Sequence, residues 1–118
     1  MIHIIDDETC ILEILPEVIK SFGYSTETFS CPTLYCEYAS SHNYNQPNII
    51  ITDVKMPNIN GYQLMEKISK IHKGIKFIVM TGFQEKQDKD SEYPHIFMRK
   101  PFNPEDLDTH IQSLMSNA

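Results

Sequence analysis

The segment Asn48 to Gly61, NIIITDVKMPNING, limits what this chain can fold into. Three consecutive isoleucines and a threonine form a short β-branched apolar run. Such a run suits a strand buried on both faces of a parallel sheet. Asp53 closes it, and in an open α/β sheet ligands bind beyond the carboxyl ends of the strands. A strand that merely ends on a solvated acid would look the same. Pro57, Asn58, Asn60 and Gly61 then read as a loop leading into a helix.

Runs of similar kind recur along the chain. Met1 to Ile5 (MIHII) reads as a first strand and is followed by Asp6, Asp7 and Glu8. From Thr9 to Phe22, Ile11, Leu12, Ile14, Leu15, Val18, Ile19 and Phe22 fall mostly on one helical stripe. Pro16 should kink that helix or weaken its first half, and Gly23 provides a stop. Tyr24 to Phe29 alternates like an edge strand. Ser30 and Pro32 open a helix to about Ser41, where Tyr35, Tyr38 and the nearby Tyr44 read as half-buried packing rather than a ligand platform.

The third strand, Asn48 to Thr52, is followed by a helix from Tyr62 to Lys73. Leu64, Met65, Ile68 and Ile71 form its stripe, and Lys67, Lys70 and Lys73 suit its C-terminal dipole. Lys76 to Met80 (KFIVM) is a fourth buried strand, ending at Thr81 and Gly82. Phe83 to Glu92 is polar, so any helix there is short or degenerate. His95 to Arg99 is a fifth strand, followed by Lys100, and Pro104 to Ser116 is the last helix, with Asn103 as its N-cap. Five strands alternating with five helices call for a doubly wound α/β fold. Its parallel sheet would have order 2-1-3-4-5, joined by right-handed crossovers.

At 118 residues, 41% hydrophobic and 22% charged, the chain is one domain with enough apolar surface for a core. No apolar run approaches the roughly 18 residues of a membrane span. No basic start followed by a long apolar stretch marks a secretion signal, so a cytoplasmic location is expected. The net charge of −6 and a single arginine, Arg99, argue against direct nucleic-acid binding. Cys10, Cys31 and Cys36 are odd in number and lack metal-site spacing, which fits reduced thiols.

The expected strand order brings the strand ends to one crevice. Asp6 and Asp7 come from the first strand, Asp53 from the third, Thr81 from the fourth and Lys100 from the fifth. Close carboxylates repel by up to about 4 kcal/mol per pair at an effective dielectric near 20. A hard divalent cation relieves that repulsion, and oxygen ligands with retained water suit Mg²⁺. Asp6, Asp7 and Asp53, with the backbone carbonyl of Lys55, could supply the protein ligands. A second Asp53 oxygen would be free as a nucleophile. Lys100 and the Thr81 hydroxyl would grip a phosphoryl group. Gly82 leaves room beside Thr81.

The sequence resembles the receiver domain of two-component response regulators over essentially its whole length. IIDDE, ITDVKMPNINGYQLM, VMTG and RKPF carry the resemblance. It implies that Asp53 accepts a phosphoryl group from a sensor histidine kinase or phosphotransfer protein, with Mg²⁺ at Asp6, Asp7 and Asp53. It implies that Thr81 and Lys100 sense the phosphate, and that the Lys100–Pro101 bond is cis. Phe97 stands at the family's switch-aromatic position; without a hydroxyl it would report by packing, and a static core Phe is the alternative. Lys55 and Phe83 stand where the family borders the path of attacking water, unless both point into solvent. The segment between Thr81 and Lys100 is shorter than usual, and SEYPH replaces the usual small residues.

Two other readings use the same residues. A pseudo-receiver would bind partners without phosphorylation. A Mg²⁺-dependent phosphatase could also use an aspartyl nucleophile, although Lys55 stands where its general acid would be expected. The expected role is a signalling switch rather than a turnover enzyme. Whether an output domain or effector acts downstream of residue 118 is left open.

Overall fold

The computed structural model describes residues 1–82 and 94–116. Its elements are β1 (Ile2–Ile5), α1 (Thr9–Ser21), β2 (Thr26–Phe29), α2 (Pro32–Ala39), β3 (Ile49–Asp53), α3 (Gly61–Ile71), β4 (Lys76–Thr81), β5 (Ile96–Arg99) and α4 (Pro104–Ser116). The five strands form one sheet in the order β2-β1-β3-β4-β5, every neighbouring pair parallel. Four of the five expected helices lie among the described residues. The short helix expected over Phe83 to Glu92 falls outside them, as does Phe83 itself.

The apolar runs become the central strands because both sheet faces are covered. Every residue of β1 and β3 is buried, and only Lys76 of β4 is partly exposed. Alternate residues point to opposite faces. Ile49 and Ile51 pack with Leu15, Ile19, Leu107 and Ile111 from α1 and α4. Ile50 packs on the other face with Tyr35, Leu64, Met65 and Ile68 from α2 and α3. Edge strand β2 leaves its two central residues exposed.

Three local details rest on contacts between elements. Helix α1 contains Pro16 within its span; Leu15 and Ile19 are buried against the sheet, while Ile14 falls off the stripe and is exposed. Helix α3 stops two residues before Lys73, because His72 is extended and its Nε2 donates to the Ala39 carbonyl at 2.7 Å. His3, inside the otherwise apolar β1, is fully buried. Its Nδ1 lies 2.8 Å from the Tyr35 hydroxyl, which lies 2.6 Å from that of Tyr44. The tyrosines are thus a packed aromatic cluster, with a polar chain that ties β1 to α2 and the following loop. Burial is the main reason that both the Tyr35 and Tyr44 phenols are pushed up.

Candidate functional site

Asp6, Asp53 and Thr81 stand at the carboxyl ends of the central strands, and Lys100 at that of edge strand β5. Ile5 pairs with Phe29 and Thr52, so Asp6 emerges beside the end of β3. Asp53, the last residue of β3, pairs with Met80. Thr81, one residue on, pairs with Arg99, and Lys100 follows directly. The Lys100 amide donates to the Thr81 carbonyl at 2.7 Å, and the Val54 amide to the Met80 carbonyl at 2.9 Å. The Lys100–Pro101 peptide bond is cis.

Helix α3 locks the loop after Asp53. Asn60 and Gln63 form a reciprocal capping box at 2.8 Å each way. The Gly61 amide donates to the Val54 carbonyl at 2.9 Å. A Cβ on Gly61 would collide with the Asp53 backbone carbonyl, so only glycine lets the helix start approach the site strand this closely. Asn58 takes a left-handed conformation, φ 73°, which asparagine tolerates better than most residues.

The resulting cavity of about 440 Å³ is lined by Asp7, Glu8, Asp53, Lys55, Met56, Pro57, Gly82 and Lys100. Asp6, Asp7 and Asp53 each offer a carboxylate oxygen within 4.8 Å of the others. Lys100 Nζ reaches Asp6 Oδ2 at 3.1 Å, Asp53 Oδ2 at 3.3 Å and Glu8 Oε1 at 3.5 Å. The Glu8 amide donates to the other Asp6 oxygen at 2.9 Å. Asp6 and Asp53 are buried, whereas Asp7 is exposed.

Burial sets the electrostatics. It pushes the Asp53 carboxyl up to about 6, with Asp6 adding to the rise and Lys100 opposing it. Burial also raises Asp6, against the Glu8 amide and Lys100. For Lys100, burial pulls downward but is outweighed by Asp6 and Asp53, leaving its ammonium raised. Two buried acids with raised affinities for a proton, beside an exposed third, form an all-oxygen donor set that fits a hard divalent cation.

Sequence reasoning placed Asp6, Asp7, Asp53 and Lys100 together, and the coordinates do so. Thr81 is fully buried at the end of β4, with Oγ1 3.4 Å from the Gly82 carbonyl. A Cβ added to Gly82 would project into open space among the described residues. Lys55 is exposed on the cavity wall. Phe97 is half-buried on β5, with the Arg99 guanidinium carbon 5.6 Å from its ring centre. Sequence reasoning missed the Glu8 side chain as a partner of Lys100. Its only signal was a third acid directly after Asp6 and Asp7.

The family model described as the response regulator receiver domain matches residues 2–112. The chain is a response regulator receiver domain. A receiver domain from Clostridium thermocellum is 27% identical, with a TM-score of 0.85 over 98% of this chain and 94% of that one. A CheY-like receiver protein from Methanospirillum hungatei is 26% identical, also at TM-score 0.85, over 98% and 93% of the two chains. Among curated relatives, the response regulator SaeR of Staphylococcus epidermidis is 28% identical over 96% of this chain and 49% of its own. The transcriptional regulatory protein YesN of Bacillus subtilis is 28% identical over 94% of this chain and 31% of its own. This receiver domain thus spans a third to a half of the length of these curated relatives. Receiver domains belong to two-component signalling, bind Mg²⁺ at an acidic cluster and interact with histidine kinases. No helix among the described residues is long and apolar enough to cross a membrane.

Proposed function

We propose that this receiver domain accepts a phosphoryl group on Asp53 from the phosphohistidine of a sensor histidine kinase or phosphotransfer protein. The observation that carries the reading is the placement of Lys100 Nζ within 3.3 Å of Asp53 Oδ2, beside the three-acid cluster. Asp6, Asp7 and Asp53, with the Lys55 backbone carbonyl, would hold Mg²⁺. Bound there, the ion offsets the acids' mutual repulsion and the charge on the transferring group.

The chain's own residues supply the rest. An Asp53 oxygen forms a bond to phosphorus as the phosphorus–nitrogen bond to the donor histidine breaks. The Lys100 ammonium leaves the Asp53 carboxylate and pairs with a phosphoryl oxygen, and the Thr81 hydroxyl donates to another. The product carries about −1.5 to −2 added charge where one carboxylate stood. Drawing Thr81 towards it would open space for Phe97 to turn inward, passing the signal to β5 by packing. The domain acts on itself alone, as a switch. Its output would pass to a further domain or an effector protein in the cytoplasm.

Beryllofluoride, a stable mimic of the phosphoryl group, tests the reading. With Mg²⁺ present it should shift the NMR resonances of Asp53, Thr81, Phe97 and Lys100 in the wild type and leave Asp53→Asn unchanged. A folded wild type with no shift would favour a partner-binding pseudo-receiver. Turnover of small phosphate esters would favour the phosphatase.

A further inference from the structure

Lys100 has three carboxylate neighbours, and they are not equivalent. Asp6 and Asp53 belong to the cluster that fits a cation, while Glu8 does not. The Glu8 side chain is about half exposed and lies on the cavity wall. Glu8 is the N-cap of α1, yet its side chain makes no capping hydrogen bond. Among the described residues its carboxylate otherwise only accepts from the Cys10 thiol, at 4.0 Å. The carboxylate thus does no hydrogen-bond capping of the helix; it faces the ammonium.

We propose that Glu8 is a positioning residue that draws the Lys100 ammonium away from Asp6 and Asp53 towards the more exposed side of the cavity. This deepens the phosphoacceptor reading of the same site and rests on it. Two consequences of opposite sign follow. When a cation neutralises Asp6 and Asp53, Lys100 loses its attraction to them and is repelled by the ion. Glu8 then offers the ammonium a remaining partner, so it eases cation entry. When a phosphoryl group arrives, Glu8 competes with it for the same ammonium, so it weakens the hold on the anion. Glu8 thereby tunes how readily the switch is set.

The test is a double-mutant cycle on the intact domain, with Glu8→Gln, Lys100→Met and both together. Mg²⁺ binding and beryllofluoride binding at saturating Mg²⁺ are each measured by calorimetry. Relative to wild type, Glu8→Gln should weaken Mg²⁺ and tighten beryllofluoride, each by about two- to five-fold, the range of a half-exposed ion pair. In the Lys100→Met background both effects should vanish, because the ammonium through which Glu8 acts is gone. Equal effects in both backgrounds would mean that Glu8 acts directly by its charge, attracting the cation and repelling the anion, and would overturn the proposal, as would no change in Glu8→Gln. Glu8→Asp, which keeps the charge, should return both affinities part-way. The Mg²⁺ cycle stands without any phosphoryl chemistry. A wild type that binds Mg²⁺ and not beryllofluoride would therefore sink the phosphoacceptor reading while the Mg²⁺ cycle still decided the role of Glu8.

Discussion

Asp53→Asn, studied in the presence of a chelator at neutral pH, removes a buried charge that the fold carries at a net loss. The carboxylate is 5% exposed, and its pKa is pushed from 3.8 to about 6. That rise already includes the attraction of Lys100, so it measures the net penalty. At about 1.4 kcal/mol per unit it amounts to at most roughly 3 kcal/mol. Water penetration and relaxation reduce it, so a gain of roughly 1–3 kcal/mol is expected for the metal-free variant. For a domain of this size that raises Tm by several degrees. The sign follows from proton binding. The folded carboxyl binds its proton more tightly than the unfolded one, so its stability contribution is complete below about pH 4 and is lost as pH rises through 6. Urea melts followed by circular dichroism should show the gain at neutral pH and little difference below about pH 4. Added Mg²⁺ should stabilise the wild type more than the variant and narrow the gap. A variant less stable than wild type at neutral pH, or an equal gain at both pH values, would refute the reasoning.

The His3 network yields a slope of the opposite sign. Burial, with a smaller push from the N-terminal ammonium, holds His3 at about 4 against 6.5. The depressed imidazole contributes stability above pH 6.5 that is lost as pH falls towards 4, up to about 3 kcal/mol. Melts in the Asp53→Asn background should show this loss, and His3→Phe should flatten it. Tyr35→Phe breaks the bonds to both His3 and Tyr44 and should cost about 1–3 kcal/mol in urea melts. Gly61→Ala should destabilise by about 1–3 kcal/mol, because its Cβ meets backbone that must shift. Its amide spectrum should change at Asp53 and Val54, and a silent spectrum would contradict the close approach.

Much of this was legible because the central strands are buried on both faces. Continuous runs such as NIII and FIVM carry that fact in one dimension, and their polar ends mark the crevice. Asp6, Asp53 and Lys100 were findable because strand order alone brings them together. What escaped depends on contacts between elements. The end of α3 is set by His72 reaching Ala39, a carbonyl on another helix. His3 was rightly placed in the first strand, but nothing local shows that Tyr35 stands opposite it. Glu8 looked like part of an acidic run, and only the fold separates the exposed acid facing Lys100 from the buried Asp6 beside it.

Intact-mass and peptide-mapping mass spectrometry, after incubation with Mg²⁺ and acetyl phosphate, tests the central claim most directly. The account predicts a single phosphoryl group, acid-stable and base-labile, mapped to Asp53, absent from Asp53→Asn and absent when the metal is chelated. A modification on another residue, or none on a folded, Mg²⁺-loaded wild type, would contradict it.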